Sequence, residues 1–421
     1  MDTTGLIRFV KFSSELFALL TIAAFTQSAS ADPLFTSWQT SKSAQYAKTR
    51  EYVGGSLVQT WPAVGLVNHG GGQATAAYSD VQQIRYSANY IYINSNNLAS
   101  HVMGPWYNDA SKTQLFGNWP SSQGKQIKFP RNPTPAVTHG GLGLGDVGML
   151  VDGVVLFNYL DALSYQNSST NEVMNGDGIW NRLAYPIEGV TFDPAQLHQP
   201  NNGTYHAHSN PLGLRYQLGD NVSYTTATDT YAEDTSALHH SPILGWAYDG
   251  YPIYGPYGYS TAMNSASGVR RIVSGYVLRN GSNSTTNLAS TGRTTLPAWA
   301  AAAHTPFTTA LAANQYGPAV SPSRALGRYA EDYDHLADHS ITTGYDLDRY
   351  NGRTCVTPEY PGGTYAYFFT IDAAGAPAFP NMVGGQYYGV VSGGNSPVIG
   401  ESTTNYFLNT GPSRVDDWQK M

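Results

Sequence analysis

Two histidines, His206 and His208, stand two positions apart in Gly203-Thr204-Tyr205-His206-Ala207-His208. The stretches 192–208 and 239–255 together gather five of the eleven histidines of the chain. Thr and Tyr favour pleated backbone and Asn202-Gly203 supplies a turn, so Thr204 to His208 reads as a strand. Side chains alternate along a strand, which places His206 and His208 on one face and Tyr205 and Ala207 on the other. Residues at that spacing sit roughly 6.6 Å apart along the strand. Metal–nitrogen bonds of about 2.0 Å then let both imidazoles lean onto one ion. His198 and His240 are the next candidates, and four histidines would make a nitrogen-rich site for a divalent metal, with Zn or Cu the best suited. His239 neighbours His240 and points away from it on extended backbone. The competing account is a pair of hydrogen-bonded core histidines.

Asp193 and Asp249 are the carboxylates expected to act as catalytic base, as ligand, or as acceptors that orient an imidazole. Each also has a plain structural account: Asp193 precedes Pro194 and Asp249 precedes Gly250, both turn-forming dipeptides. Asp348, Asn351, Arg353 and Glu359 form a later polar group that fits either an anion clamp or structural ion pairing. His335 and His339 would share a face if helical, but they lack the Glu of a His-Glu-x-x-His motif and sit among Glu331, Asp332 and Asp334.

The elements that must position these residues read mainly as β. Tyr90 to Asn94 alternates as a half-buried strand, and Gln126 to Phe129 and Thr364 to Thr370 are further strands. Asp152-Gly153 is a two-residue turn joining Val147–Val151 to Val154–Phe157 as an antiparallel hairpin. Helical patterning falls mainly around Pro297–Ala313 and Arg324–Leu336, where Ala, Leu and Arg are frequent.

Three blocks occur in one order: the Tyr-His-Ala-His run; the stretch from His240-Ser241-Pro242 through Trp246-Ala247-Tyr248-Asp249-Gly250 to Gly255; and Leu347-Asp348 with Asn351-Gly352-Arg353 and Thr357 to Phe368. In these the chain resembles the YHYH-domain family, named for its Tyr-His-Tyr-His motif. The resemblance spans roughly Phe129 to Tyr388, with Tyr259 to Gly327 matching weakly as an insertion. Ala207 replaces the second Tyr of the name motif, on the face opposite the histidines.

Arg8 and Lys11 precede an apolar run from Leu16 to Phe25, and Ala29-Ser30-Ala31 follows, the pattern of a secretory signal peptide with Asp32 starting the mature chain. The run is too short to span a bilayer. A single cysteine, Cys355, excludes an intramolecular disulfide, so stability must come from the core. With 31 tyrosines and eight tryptophans among 421 residues and only 12% charged, the chain is suited to a compact, turn-rich fold. A net charge of -7 gives no basic footprint for nucleic acid.

The expected organisation is a signal peptide over 1–31, a β-rich segment over 32–128, a YHYH-type domain over 129–390 with a helical insertion at 259–327, and a tail over 391–421. The expected class is a secreted or periplasmic protein, mainly β with a helical insertion, and without a stable membrane anchor. Two classes of function follow: a metal-dependent hydrolase or lyase acting on a small molecule, or a carbohydrate-binding or metal-storage and delivery protein without catalysis. A surface row of aromatic rings would favour carbohydrate binding.

Overall fold

The Asp152-Gly153 turn forms as read: Asp146–Leu150 pairs antiparallel with Val155–Phe157, and Gly153 adopts φ +83°. A Cβ at Gly153 would also meet the Ser95 side chain at 2.6 Å, so the position needs glycine for two reasons. The computed structural model describes residues 1, 32–53, 56–62, 76–303 and 307–411. The leader pattern, with Arg8, Lys11 and the Ala29-Ser30-Ala31 cleavage site, lies outside the described residues. Among the described residues no helix is long and apolar enough to cross a membrane.

The hairpin occupies one half of a seven-stranded mixed sheet. Its strand order is His206–Ala207, Val155–Phe157, Asp146–Leu150, Ile243–Ala247, Pro252–Tyr254, Thr364–Phe368 and Gly352–Cys355. The outermost pair, His206–Ala207 with Val155–Phe157, is parallel. All three blocks that carry the family resemblance thus meet in one sheet. A five-stranded antiparallel sheet, Gly394–Asn395, Lys125–Pro130, Tyr90–Ser95, Val81–Tyr86 and Thr404–Leu408, draws on both the N-terminal segment and the tail. A small third sheet has Leu160–Gln166 at its centre, flanked by Asn171–Met174 and Asn181–Leu183.

The main core lies among these layers and includes Ile93, Phe129, Met149, Leu156, Trp246 and Phe368, all fully buried. Burial of this apolar surface, at roughly 25 cal/mol per Å², supplies the stability that disulfides cannot. Two satellite clusters, around Trp299 and around Trp180, hold the segment 259–327 to the rest.

Within 259–327 the helices are short, Leu288–Thr291 and Ala298–Ala303, beside a hairpin of Tyr257–Thr261 with Asn264–Arg271. The second expected helix, over Arg324–Leu336, is replaced by turns, a 3-10 turn at Ala330–Asp332 and a strand at Tyr333–His335. The cause is tertiary. Asp332 is buried and accepts two bonds from the Arg293 guanidinium at 2.7 and 2.8 Å. It also accepts the backbone N–H groups of Gly327 and Tyr329. Gly327 sits at φ +93°, outside the helical region. An ion pair that captures local N–H groups overrides a propensity worth only tenths of a kcal/mol per residue.

Candidate metal centre

The strand expected over Thr204–His208 is regular only at His206–Ala207, yet the alternation holds through His208. His206 and His208 project to the same side with Nε2 atoms 2.9 Å apart. His198 enters by a different route. The chain turns at Asp193–Leu197 and again at Pro200–Gly203, so that His198 and His206 lie opposite one another and exchange both backbone hydrogen bonds. Gly203, at φ +77°, makes the second turn, and a Cβ there would collide with Ser121. The three rings meet with centroids 4.7 to 5.6 Å apart, and one ligand nitrogen from each lies within 4.8 Å of the others.

The outer nitrogen of each ring is fixed. His206 Nδ1 donates to the Thr204 carbonyl at 2.8 Å and His208 Nδ1 to the Asn158 carbonyl at 2.6 Å. His198 Nδ1 lies 2.7 Å from Thr191 Oγ1, whose own hydrogen goes to the Glu188 carbonyl. Carbonyl oxygens only accept, and the Thr191 hydroxyl has spent its hydrogen, so all three rings carry their proton on Nδ1. Three Nε2 lone pairs therefore point at one another. Burial, reinforced by the neighbouring imidazoles, pushes His198 and His206 well below the ordinary histidine range. Burial lowers His208 to about 4 against its bond to Asn158. The facing lone pairs of three buried imidazoles make a group that could hold a metal ion.

One carboxylate approaches the triad, and sequence reasoning missed it. Glu188 ends the short helix Tyr185–Glu188, and its Oε2 lies 3.4 Å from His208 Nε2 and 3.5 Å from His198 Nε2. Burial first, then Asp161, pushes this carboxyl up to about 8 against the pull of Arg182. Pro186 in the first helical turn was the one local signal, marking a helix start without revealing where its end points.

The other expected residues fall elsewhere. His240 is not in the triad group; its ring lies against Tyr254 and Tyr259 and its Nδ1 donates to the Ser241 carbonyl. Asp193 accepts from the Gly104 and Leu197 N–H groups and from the Tyr205 hydroxyl, the last at 2.7 Å. It thus ties the first turn to Tyr205, the residue that precedes His206. Asp249 accepts from Tyr251 N, Tyr367 Oη and Gly389 N, bracing the sheet at the Asp-Gly turn. Burial raises both carboxyls to about 6, and neither belongs to the group that could hold a metal ion. Arg353 donates to the Tyr259 carbonyl and Asn351 to the Phe368 and Met382 carbonyls, so the later polar group is engaged structurally. His339 pairs with Asp334 at 2.9 Å on a 3-10 turn.

Ala207 is fully buried in the main core, on the face away from the rings, as the alternation requires. Ala207→Tyr should cost about 1–3 kcal/mol by overpacking, while metal stoichiometry stays that of the parent. Urea unfolding and elemental analysis of the same preparation check both halves; lost metal in a folded variant would refute the face assignment.

The triad opens onto a cleft of about 510 Å³ whose walls include Phe157, Leu160, Leu163, Glu188 and Gln199. Phe157 stacks on His206 with centroids 4.0 Å apart, and Phe192 packs on His198. A family model described as YHYH protein matches residues 126–385. No curated protein and no solved structure matches the chain.

Proposed function

Given that the chain belongs to the YHYH protein family, whose name motif here supplies two of the three imidazoles, we propose that it is a metal-dependent hydrolase or lyase. The observation that carries this reading is the convergence of three proton-free Nε2 atoms beside a carboxylate at the end of an open cleft. His198, His206 and His208 hold the ion, and the acceptors on their Nδ1 atoms fix ring orientation and basicity. A divalent ion with three protein nitrogens supplies Lewis acidity and activates water.

Glu188 serves as the proton carrier, the role that sequence reasoning gave to Asp193 or Asp249. Its carboxyl group is partly exposed, with 29% of the side chain open, whereas Asp193 and Asp249 are 1% and 0% exposed. The former can exchange a proton with a molecule in the cleft; the latter are each committed to three internal hydrogen bonds. Phe157 and Phe192 keep bulk water from the rings and raise the strength of every charge interaction there. The leader pattern at residues 8–31 supports export as part of the same proposal.

Carbohydrate binding has weaker support: among the described residues Tyr216 and Tyr406 alone of the aromatic side chains are largely exposed, and Tyr216 packs with the half-exposed Tyr224 and Tyr231.

A Co(II)-substituted protein tests the reading. With three protein ligands a coordination position stays open, so azide should shift the visible spectrum. In Glu188→Gln the metal content and the azide response should persist. No azide response, together with a melting temperature that falls on chelation, would identify a closed structural or storage site instead.

A further inference from the structure

A second cavity, of about 260 Å³, adjoins the triad cleft and shares with it the walls Leu144, Leu160, Ala162 and Leu163. The two make one groove leading away from the histidines along the strand Leu160–Gln166. At its midpoint Ala162 holds φ +71°, a left-handed conformation that an alanine adopts at a cost, where the pairing with Asn181–Leu183 slips register. The bulge turns the strand so that Leu160, Ala162 and Leu163 all meet the groove. The outer rim is apolar as well: Leu144 is 52% exposed and Met174 63% exposed. Single exposed aliphatics are ordinary, but apolar surface continuous with an apolar cleft is the kind that marks a ligand-binding groove.

The charge pattern is one-sided. Neither cavity is lined by a lysine or arginine, whereas Asp161 and Glu188 line the triad end. Arg182, which acts on Glu188, is tied to Asp161 and to Glu172. Away from the histidines an anionic group would find no cationic side chain on the walls, while an uncharged chain would bury apolar surface against Leu144, Leu160, Ala162 and Leu163. We propose that the groove receives the apolar chain of an uncharged substrate whose polar, reacting end reaches the histidines. This rests on the metal-site reading for the reacting end only; the apolar path stands on its own walls.

The test uses the full mature chain and N-phenyl-1-naphthylamine, an uncharged apolar fluorophore that needs no metal. Saturable fluorescence enhancement is expected, weakened at least ten-fold in the pair Leu144→Asp with Met174→Asp. Both positions are exposed, so the variant should fold; circular dichroism and cobalt content are read on the same sample. In the Co(II) protein, octanohydroxamic acid should bind at least ten-fold more tightly than acetohydroxamic acid, since each buried methylene adds about 0.8 kcal/mol. No saturable dye binding, or equal binding by parent and variant, overturns the groove, as does equal affinity for the two hydroxamic acids. Dye binding that is intact in a protein that retains no cobalt overturns the metal reading and leaves the groove standing.

Discussion

His206→Ala is expected to abolish stoichiometric metal binding. His206 supplies the central nitrogen of the triad: its Nε2 lies against that of His208, and its backbone exchanges both hydrogen bonds with His198. Disturbing a residue that merely orients a ligand costs about 10–100-fold in affinity, so loss of the ligand itself should exceed 100-fold. The substitution should also erase the stabilisation that the ion gives, about 2.7 kcal/mol when free metal is 100 times its dissociation constant. Elemental analysis after dialysis and melting curves with and without a chelator measure the two effects. A variant that holds one equivalent of metal, or still melts lower when chelated, would contradict the assignment. His240→Ala is the matched control and should keep its metal.

Arg215→Ala should destabilise the fold by about 3–5 kcal/mol, because it strands two acceptors in the interior. Arg215 is fully buried and donates through Nε to Asp220 at 2.5 Å, through Nη1 to Asn210 at 3.0 Å, and through both Nη atoms to Glu233. Asp220 is itself sealed from solvent. These bonds anchor the segment just after His208, so the loss is felt at the metal centre as well as in the global stability. Arg215→Lys should recover only part of it, since an ammonium cannot reproduce the planar fork. Urea denaturation of the three proteins gives the comparison; a loss under 1 kcal/mol in the alanine variant would show that the network contributes little.

What could be read from the chain alone was whatever depended on short-range periodicity. The hairpin at Asp152-Gly153 follows from a turn dipeptide between two apolar runs, and the shared face of His206 and His208 follows from a period of two. Glu188 was illegible because its approach depends on where a four-residue helix ends against the cleft, which no local pattern encodes. His240 was drawn into the expected site by its neighbours in sequence, whereas the sheet carries it to Tyr254 and Tyr259. Asp193 illustrates a third case. Its residue type was read as chemistry, its Asp-Pro context as a turn, and the fold uses it to hold the turn that delivers His198. The failed helix at 324–336 shows the same limit, since the buried Arg293–Asp332 pair joins residues 39 positions apart.

The three imidazoles lie within a short stretch, His198 to His208, with Glu188 ten positions upstream. Donors so close in sequence can be drawn together before the sheets exist, because closing a loop of about ten residues takes only about 10–100 ns and its entropic cost is small. On the proposed function, the unfolded chain would itself be a weak chelator. Whatever affinity it has subtracts from the stabilisation the ion gives to the folded protein, so the gain in melting temperature understates how tightly the finished site binds. In return, an ion met early restricts the 188–208 segment to near its final course, and the edge strand at His206 finds Val155 from an ensemble already narrowed. On the proposed function, the ion would then act as a folding template as well as a cofactor.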